Sequence, residues 1–378
     1  MNFFPISKEE KTSAQIVVKD VCRIKKNEKV LIIANPETNV IAQDLFTASL
    51  AEGAKPTLMY QTKKTSSQAA DDAVIAAIKS EPDVCFSISA LKLGKDEKAI
   101  SSPYKDKDGN SYDSVFDYLL EGKKCMRAVW TPGLTEEMFE RTVKIDYRLL
   151  AERCSKICRK LEGALYIHVK SPSGTDIKVP VKGRKALEDN GDFSKPGSGG
   201  NIPCGEVFIS PLTGIKDKDG NGEGCQGLIV FDGSLTFSDG DAILKNPVKV
   251  KVEDGLVVEI TGGEEAKRLL KDITNAEKQS LAMEAEGKLP SGQGKVYARN
   301  ARNIGELGIG LNPAASISGN MLEDEKAFRT CHFAIGQNYD NDAPSLIHFD
   351  GLVRNPTITV TYEDLKEFVL LKDGELQL

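Results

Sequence analysis

Up to about residue 162, apolar positions fall into short continuous runs separated by amphipathic stretches. Lys29-Val30-Leu31-Ile32-Ile33-Ala34, closed by Asn35-Pro36, has the pattern of a strand buried on both faces. Ser7 followed by Glu9 and Glu10 predicts a helix start, with the helix running through Ile16-Val17-Val18 and Val21. Residues 38–52 predict a helix closed by Gly53. A strand at 56–60, a helix at 68–80, a strand at 83–89, a helix at 113–121 and a strand at 126–130 continue the alternation. Repeated β-α units at this spacing predict a parallel sheet covered by helices. A longer helix over 146–162 closes this α/β domain, residues 1–162.

Beyond Gly163 the period changes to two. Leu165-Tyr166-Ile167-His168-Val169 and Asp176-Ile177-Lys178-Val179 read as half-buried strands. Residues 189–205 are rich in Gly, Ser, Pro and Asn and predict a loop. Residues 247–260 predict a hairpin turning at Glu253-Asp254-Gly255. A helix at 263–286 interrupts before strands return, ending in a hairpin turning near Asp373-Gly374. Residues 163–378 are thus expected to form a strand-rich α+β domain.

Composition narrows the classes of function. The chain has 378 residues, enough for two cores, with 40% hydrophobic and 28% charged residues. A net charge of −6, with Lys and Arg interleaved among acids, gives no electrostatic footprint for nucleic acid. No apolar run reaches membrane-span length, and Lys8 to Lys11 stand where a secretory signal needs its apolar core, so a cytoplasmic location is expected. The eight cysteines are spread singly and read as free thiols, with Cys154 and Cys158 packed one helical turn apart. Two Lys-Asp-Lys-Asp-Gly-Asn stretches, at 105–110 and 216–221, lack the acids and glycine offset of a calcium loop and read as polar turns. Gly305 to Gly310 fails as a dinucleotide fingerprint because Asn312-Pro313 follows where a helix should begin.

The chain has only three histidines. His332 and His348 lie in the strand-rich half, and His348-Phe349-Asp350 puts an imidazole and a carboxylate on one face of a strand. Glu206 and Glu306 are embedded in apolar strands, each after a glycine, where an unpaired carboxylate is costly. Together these residues supply a carboxylate-rich N/O donor set suited to zinc, cobalt, manganese or iron(II), and a bridging carboxylate would admit two ions. His168, without nearby acids in sequence, reads as structural.

The segments Gly200-Asn201-Ile202-Pro203-Cys204-Gly205-Glu206-Val207-Phe208, Gly305 to Pro313, Leu322 to Gly336 and His348-Phe349-Asp350 resemble, in order, motifs of the thermophilic-type metallo-aminopeptidases (aminopeptidase T, aminopeptidase S), which are leucyl aminopeptidase-like. That resemblance implies a cytoplasmic homodimer acting on peptides, with one or two divalent ions (zinc, cobalt or manganese). It places Glu206, Glu306, His332, His348 and Asp350 on the metal-binding positions and Tyr339 on the active-site tyrosine, with Glu325 as a reserve ligand. In the expected chemistry the metal activates water, Glu206 or Glu306 relays protons, and Tyr339 donates a hydrogen bond to the oxyanion. The chain departs from the best-known peptidases in the Gly-Glu-Leu-Gly context of Glu306 and in the short interval from His332 to His348. A ring-cleaving iron(II) dioxygenase for dihydroxypyridine resembles the same family. His332, His348 and Asp350 have the composition of its two-His, one-carboxylate triad. The other alternative is a non-catalytic dimeric binding protein on this fold.

Overall fold

The structure is a computed structural model, and it describes residues 11–65, 68–216 and 222–378. It divides into two compact units, residues 1–147 with 191–204, and residues 148–190 with 205–378.

In the first unit, five strands form a parallel sheet in the order Gly199–Asn201, Arg127–Trp130, Val84–Ile88, Lys29–Ala34, Lys55–Tyr60. The run Val30 to Ala34 is buried throughout, as its unbroken apolar character requires. Leu31 and Ile33 pack with Val74, Ile78, Phe116, Leu119 and Met126 in one core cluster. Asn35, where the first strand stops, donates to Gln61 O at 2.9 Å and accepts from Ala90 N at 2.7 Å. One side chain thus ties together three strand ends. The expected helices appear as Asn39–Ala51, Asp72–Lys79 and Val115–Asp117, the last prolonged by a wider turn over Tyr118–Gly122. The first helix starts at Ser13, capped by Thr12, and the predicted start at residues 7–10 lies outside the described residues. Asp106 accepts from the backbone of Asp108 and Asn110, both at 2.9 Å, and makes the first of the two polar turns. Most of the second, at 217–221, lies outside the described residues.

The second unit is built on two sheets, as the period-2 pattern anticipates. One has eight strands, among them Ala164–Lys170, Asp176–Pro180 and Gln226–Phe231. The other has seven, in the order Gly240–Ile243, Ser234–Phe237, His348–Arg354, Thr330–Gly336, Ile304–Gly310, Glu206–Ile209, Leu187–Asp189. The hairpin Val248–Glu253/Leu256–Thr261, the helix Glu264–Ala285 and the C-terminal hairpin Glu367–Lys372/Glu375–Leu376 stand where the pattern puts them.

Two boundaries differ from the sequence expectation. The division expected at 162 falls before the helix Tyr147–Leu161. That helix buries Leu150, Cys154, Ile157 and Leu161 within the second unit, and Cys154 Sγ meets Glu206 O at 3.9 Å. The predicted loop 189–205 instead returns residues 191–204 to the first unit. There Gly199–Asn201 adds a strand beside Arg127–Trp130, and a Cβ at Gly199 would stand 2.4 Å from Ala128 O. A glycine-rich stretch can pair this closely because it has no side chains to clear. Among the described residues no helix is long and apolar enough to cross a membrane.

Candidate metal centre

Antiparallel register places the candidate residues. Glu306 pairs with Ala334 and Ala334 with Asp350; Gly308 pairs with His332, Gly336 with His348, and Gly310 with Glu206. Residues directly opposite one another share a face, so Glu206, Glu306, His332, His348 and Asp350 all project from one side of the seven-stranded sheet. The positions between them on that side are Gly308, Gly310, Ala334 and Gly336, which leaves space above the backbone. The other side carries Val207, Leu307, Ile309, Phe333, Ile335 and Val353, all buried. A register irregularity lies between Ile304 and Glu306, a bulge at Gly305 just before the first central acid.

His332 lies over Gly308 so closely that a Cβ there would stand 2.1 Å from its ring. Its Nε2 is 3.1 Å from Glu306 Oε1 and 3.6 Å from Glu206 Oε2. The second oxygen of Glu306 is 3.3 Å from His348 Nε2, which is also 3.3 Å from Asp350 Oδ1. His348 Nδ1 is 2.8 Å from Gln337 O. A carbonyl can only accept, so Nδ1 carries a proton in that bond, and Nε2 is the ring atom turned toward the carboxylates. Three groups therefore place one donor atom per residue within 4.8 Å of each other: Glu206-Glu306-His332, Glu306-His348-Asp350 and Glu325-His332-Asp350. Glu306 belongs to the first two.

The electrostatics call for positive charge. Asp189, Glu206, Glu306, Glu325 and Asp350 bring five carboxyl groups together here, and among the described residues Lys326, which has no exposed surface, is the lysine paired with them. Lys326 Nζ donates to Glu206 Oε1 at 2.7 Å and also pairs with Glu325. Burial works against charge on both histidines, yet Glu306, with Asp350 at His348, lifts each ring above its ordinary value. Burial would likewise raise Glu306, but hydrogen bonds and charge from the two rings hold it below the usual carboxylate range. Burial pushes Asp189 up to about 8 against the opposing pull of Lys326. Among the described residues, Glu206 Oε2, Asp350 Oδ1 and His332 Nδ1 are buried without a hydrogen-bond partner. Two of these atoms are carboxylate oxygens turned toward imidazole nitrogens, an arrangement that a divalent cation completes. The donor set, nitrogen and oxygen without thiolate, fits zinc, manganese, cobalt or iron(II).

The profile of the 2,5-dihydroxypyridine 5,6-dioxygenase family (NicX) matches residues 135–367, a stretch that contains every one of these side chains. The chain belongs to the NicX family. No curated protein matches it in sequence. Its fold is that of the 2,5-dihydroxypyridine dioxygenase from Pseudomonas putida KT2440, with TM-score 0.67 and 17% identity over 96% of this chain and 95% of that one. It is also that of AmpT from Thermus thermophilus, with TM-score 0.63 and 17% identity over 97% and 98% of the two chains. The expected aminopeptidase scaffold is thus one that members of the NicX family share.

The structure brings together the residues singled out in the sequence. Tyr339 stands at the edge of the cluster, 53% exposed, its ring 4.8 Å from that of Phe208 and 5.5 Å from that of His348. Desolvation of its hydroxyl, followed by the charges of Glu306 and Asp350, raises the phenol well above its ordinary value. Glu323 and Asp324 instead brace the preceding loop. Glu323 accepts from Ser316 N at 2.7 Å, and Asp324 from Ser318 N at 2.7 Å and Gly319 N at 3.0 Å. His168 stands apart, paired at the surface with Asp176 at 2.6 Å. Sequence reasoning missed Lys326 and Asp189. A lysine in Glu323-Asp324-Glu325-Lys326 looks like a solvated face, and Asp189 sits where the composition reads as loop.

Proposed function

We propose that the chain is a two-metal aminopeptidase, removing N-terminal residues from peptides by metal-activated water. The observation that carries this reading is Glu306, whose two oxygens each face a different histidine. It stands between Glu206 with His332 on one side and Asp350 with His348 on the other. A carboxylate so placed is suited to bridge two ions, and a single-ion facial triad has no need of Glu206 and Glu306. When bound, a pair of divalent ions lowers the pKa of a coordinated water and polarises a carbonyl. Glu206, Glu306, His332, His348 and Asp350 would hold the ions. Glu206 or Glu306 would relay a proton to the leaving amine where it is not fully occupied as a ligand, and Glu325, paired with Lys326, stands in reserve as a ligand. Tyr339, kept protonated, offers a hydrogen bond to an oxyanion at the exposed edge. The same reading carries a homodimer in the cytoplasm.

A second reading is favoured by a separate observation, the family match over residues 135–367. His332, His348 and Asp350 have the composition of a two-His, one-carboxylate triad for one iron(II), and the chain would then open a dihydroxylated ring with dioxygen. Elemental analysis of protein loaded separately with zinc, manganese or iron(II), followed by leucine amide hydrolysis and by oxygen uptake with 2,5-dihydroxypyridine, separates the two. Two ions per chain with chelator-sensitive amide cleavage are expected. One iron with oxygen uptake and no cleavage would replace the first reading with the second.

A further inference from the structure

The two donor groups that share Glu306 are not alike. Lys326 Nζ lies 2.7 Å from Glu206 Oε1 and also pairs with Glu325. One oxygen of Glu206 is therefore engaged, with a positive charge fixed against it. Its other oxygen, Oε2, has no hydrogen-bond partner and faces His332 at 3.6 Å. Among the described residues, neither Glu306 nor Asp350 pairs with a lysine or arginine; both face imidazoles. The Glu306-His348-Asp350 group thus offers two carboxylates without a competing cation. In the Glu206-Glu306-His332 group, one of the two is shared with an ammonium.

The histidines differ in the same sense. His348 gives its Nδ1 proton to Gln337 O at 2.8 Å, which fixes the ring with Nε2 at 3.3 Å from both Glu306 Oε2 and Asp350 Oδ1. A hydrogen-bond partner of this kind behind a ligating imidazole is worth about 10–100-fold in metal affinity. His332 has no such support, for its Nδ1 is buried without a partner among the described residues. His348 is also the more open of the two, its side chain 28% exposed against 1% for His332. An arriving ion meets the His348 group first.

We infer that, on the two-metal reading proposed above, the two groups fill unequally and Lys326 sets the difference. Glu306, His348 and Asp350 take the first ion tightly, and Glu206 with His332 takes the second at least tenfold more weakly. The concentration of free metal then decides whether the chain carries one ion or two, and with it whether an amide is cleaved. Lys326 is a positioning residue here: it holds one oxygen of Glu206 and repels a second cation, a repulsion that is strongest where water is excluded. It belongs to the same unit as the residues it acts on.

Full-length, chelated protein is titrated with zinc by calorimetry and with manganese by electron paramagnetic resonance. Two binding events at least tenfold apart in Kd are expected. The first manganese should give the spectrum of an isolated ion, and the second should broaden it by coupling through Glu306. Lys326→Met, similar in length and without charge, should tighten the second event at least tenfold and move the first less than threefold, whereas a general packing defect would weaken both. Asp350→Asn should weaken the tight event at least tenfold, and Glu206→Gln the weak one alone. Circular dichroism checks that each variant is folded; if Lys326→Met folds only with metal bound, its two Kd values are read by chelator competition. Equal Kd values in the unaltered chain, or the reverse assignment in Asp350→Asn and Glu206→Gln, would overturn the inference and leave the two-metal reading in place. An unchanged or weakened second event in Lys326→Met would overturn the role of Lys326. A single ion at saturation would remove the two-metal reading and this inference with it.

Discussion

Lys326 occupies the place where a cation matters most in the second unit, wholly enclosed and 2.7 Å from Glu206. Removing the charge of a buried pair leaves its partner uncompensated, which costs about 3–5 kcal/mol. Lys326→Met is expected to lose stability of that order in chelated protein and to recover part of it with added zinc or manganese, since a divalent ion faces the same carboxylates. An unchanged denaturation midpoint without metal would show that Lys326 is not their counter-charge. Gly308 acts at the same scale through its missing side chain, for a Cβ would meet the His332 ring at 2.1 Å. Gly308→Ala should displace that ring, remove at least one bound ion in elemental analysis and cost about 1–3 kcal/mol by overpacking. Full metal content in the variant would mean that the imidazole has room to turn aside.

At the scale of elements, the seven-stranded sheet separates chemistry from packing by its two faces. The candidate ligands rise from one, while on the other Gly351 lies against Phe231 of the eight-stranded sheet, where a Cβ would stand 2.5 Å from the ring. Gly351→Val is therefore expected to lower the urea midpoint by the equivalent of about 1–3 kcal/mol. It should leave metal stoichiometry unchanged, because no ligand shares that face. A loss of metal in step with stability would mean that the two faces are not independent. The alternation that produces this arrangement was legible in His348-Phe349-Asp350, where period two alone puts imidazole and carboxylate on one side. It was much less legible at Glu306, whose approach is set by a bulge at Gly305, a feature of pairing that no local pattern announces.

For the whole molecule, every candidate ligand lies in the second unit, so metal should stabilise that unit selectively. Saturation at a hundredfold over Kd contributes about 2.7 kcal/mol to the state that binds. Chelation is thus expected to speed amide hydrogen exchange in Ile304–Gly310, Thr330–Gly336 and His348–Arg354, and to leave Lys29–Ala34 and Val84–Ile88 unaffected. Equal acceleration in both sets would contradict a site confined to one unit.

Sequence by itself determined the class of each half, since apolar runs between helices and period-two strands each have one economical way to be buried. It also marked five metal-capable side chains and Tyr339, because a chain with so few histidines and with acids inside apolar strands leaves few other places for such chemistry. Only the tertiary structure decided that Lys326 and Asp189 join them, that Gly308 makes the space for His332, and that residues 191–204 return to the parallel sheet. These outcomes rest on long-range register and on burial. A lysine among acids reads as surface, and a Gly-rich stretch reads as loop, until the strands that enclose them are in place.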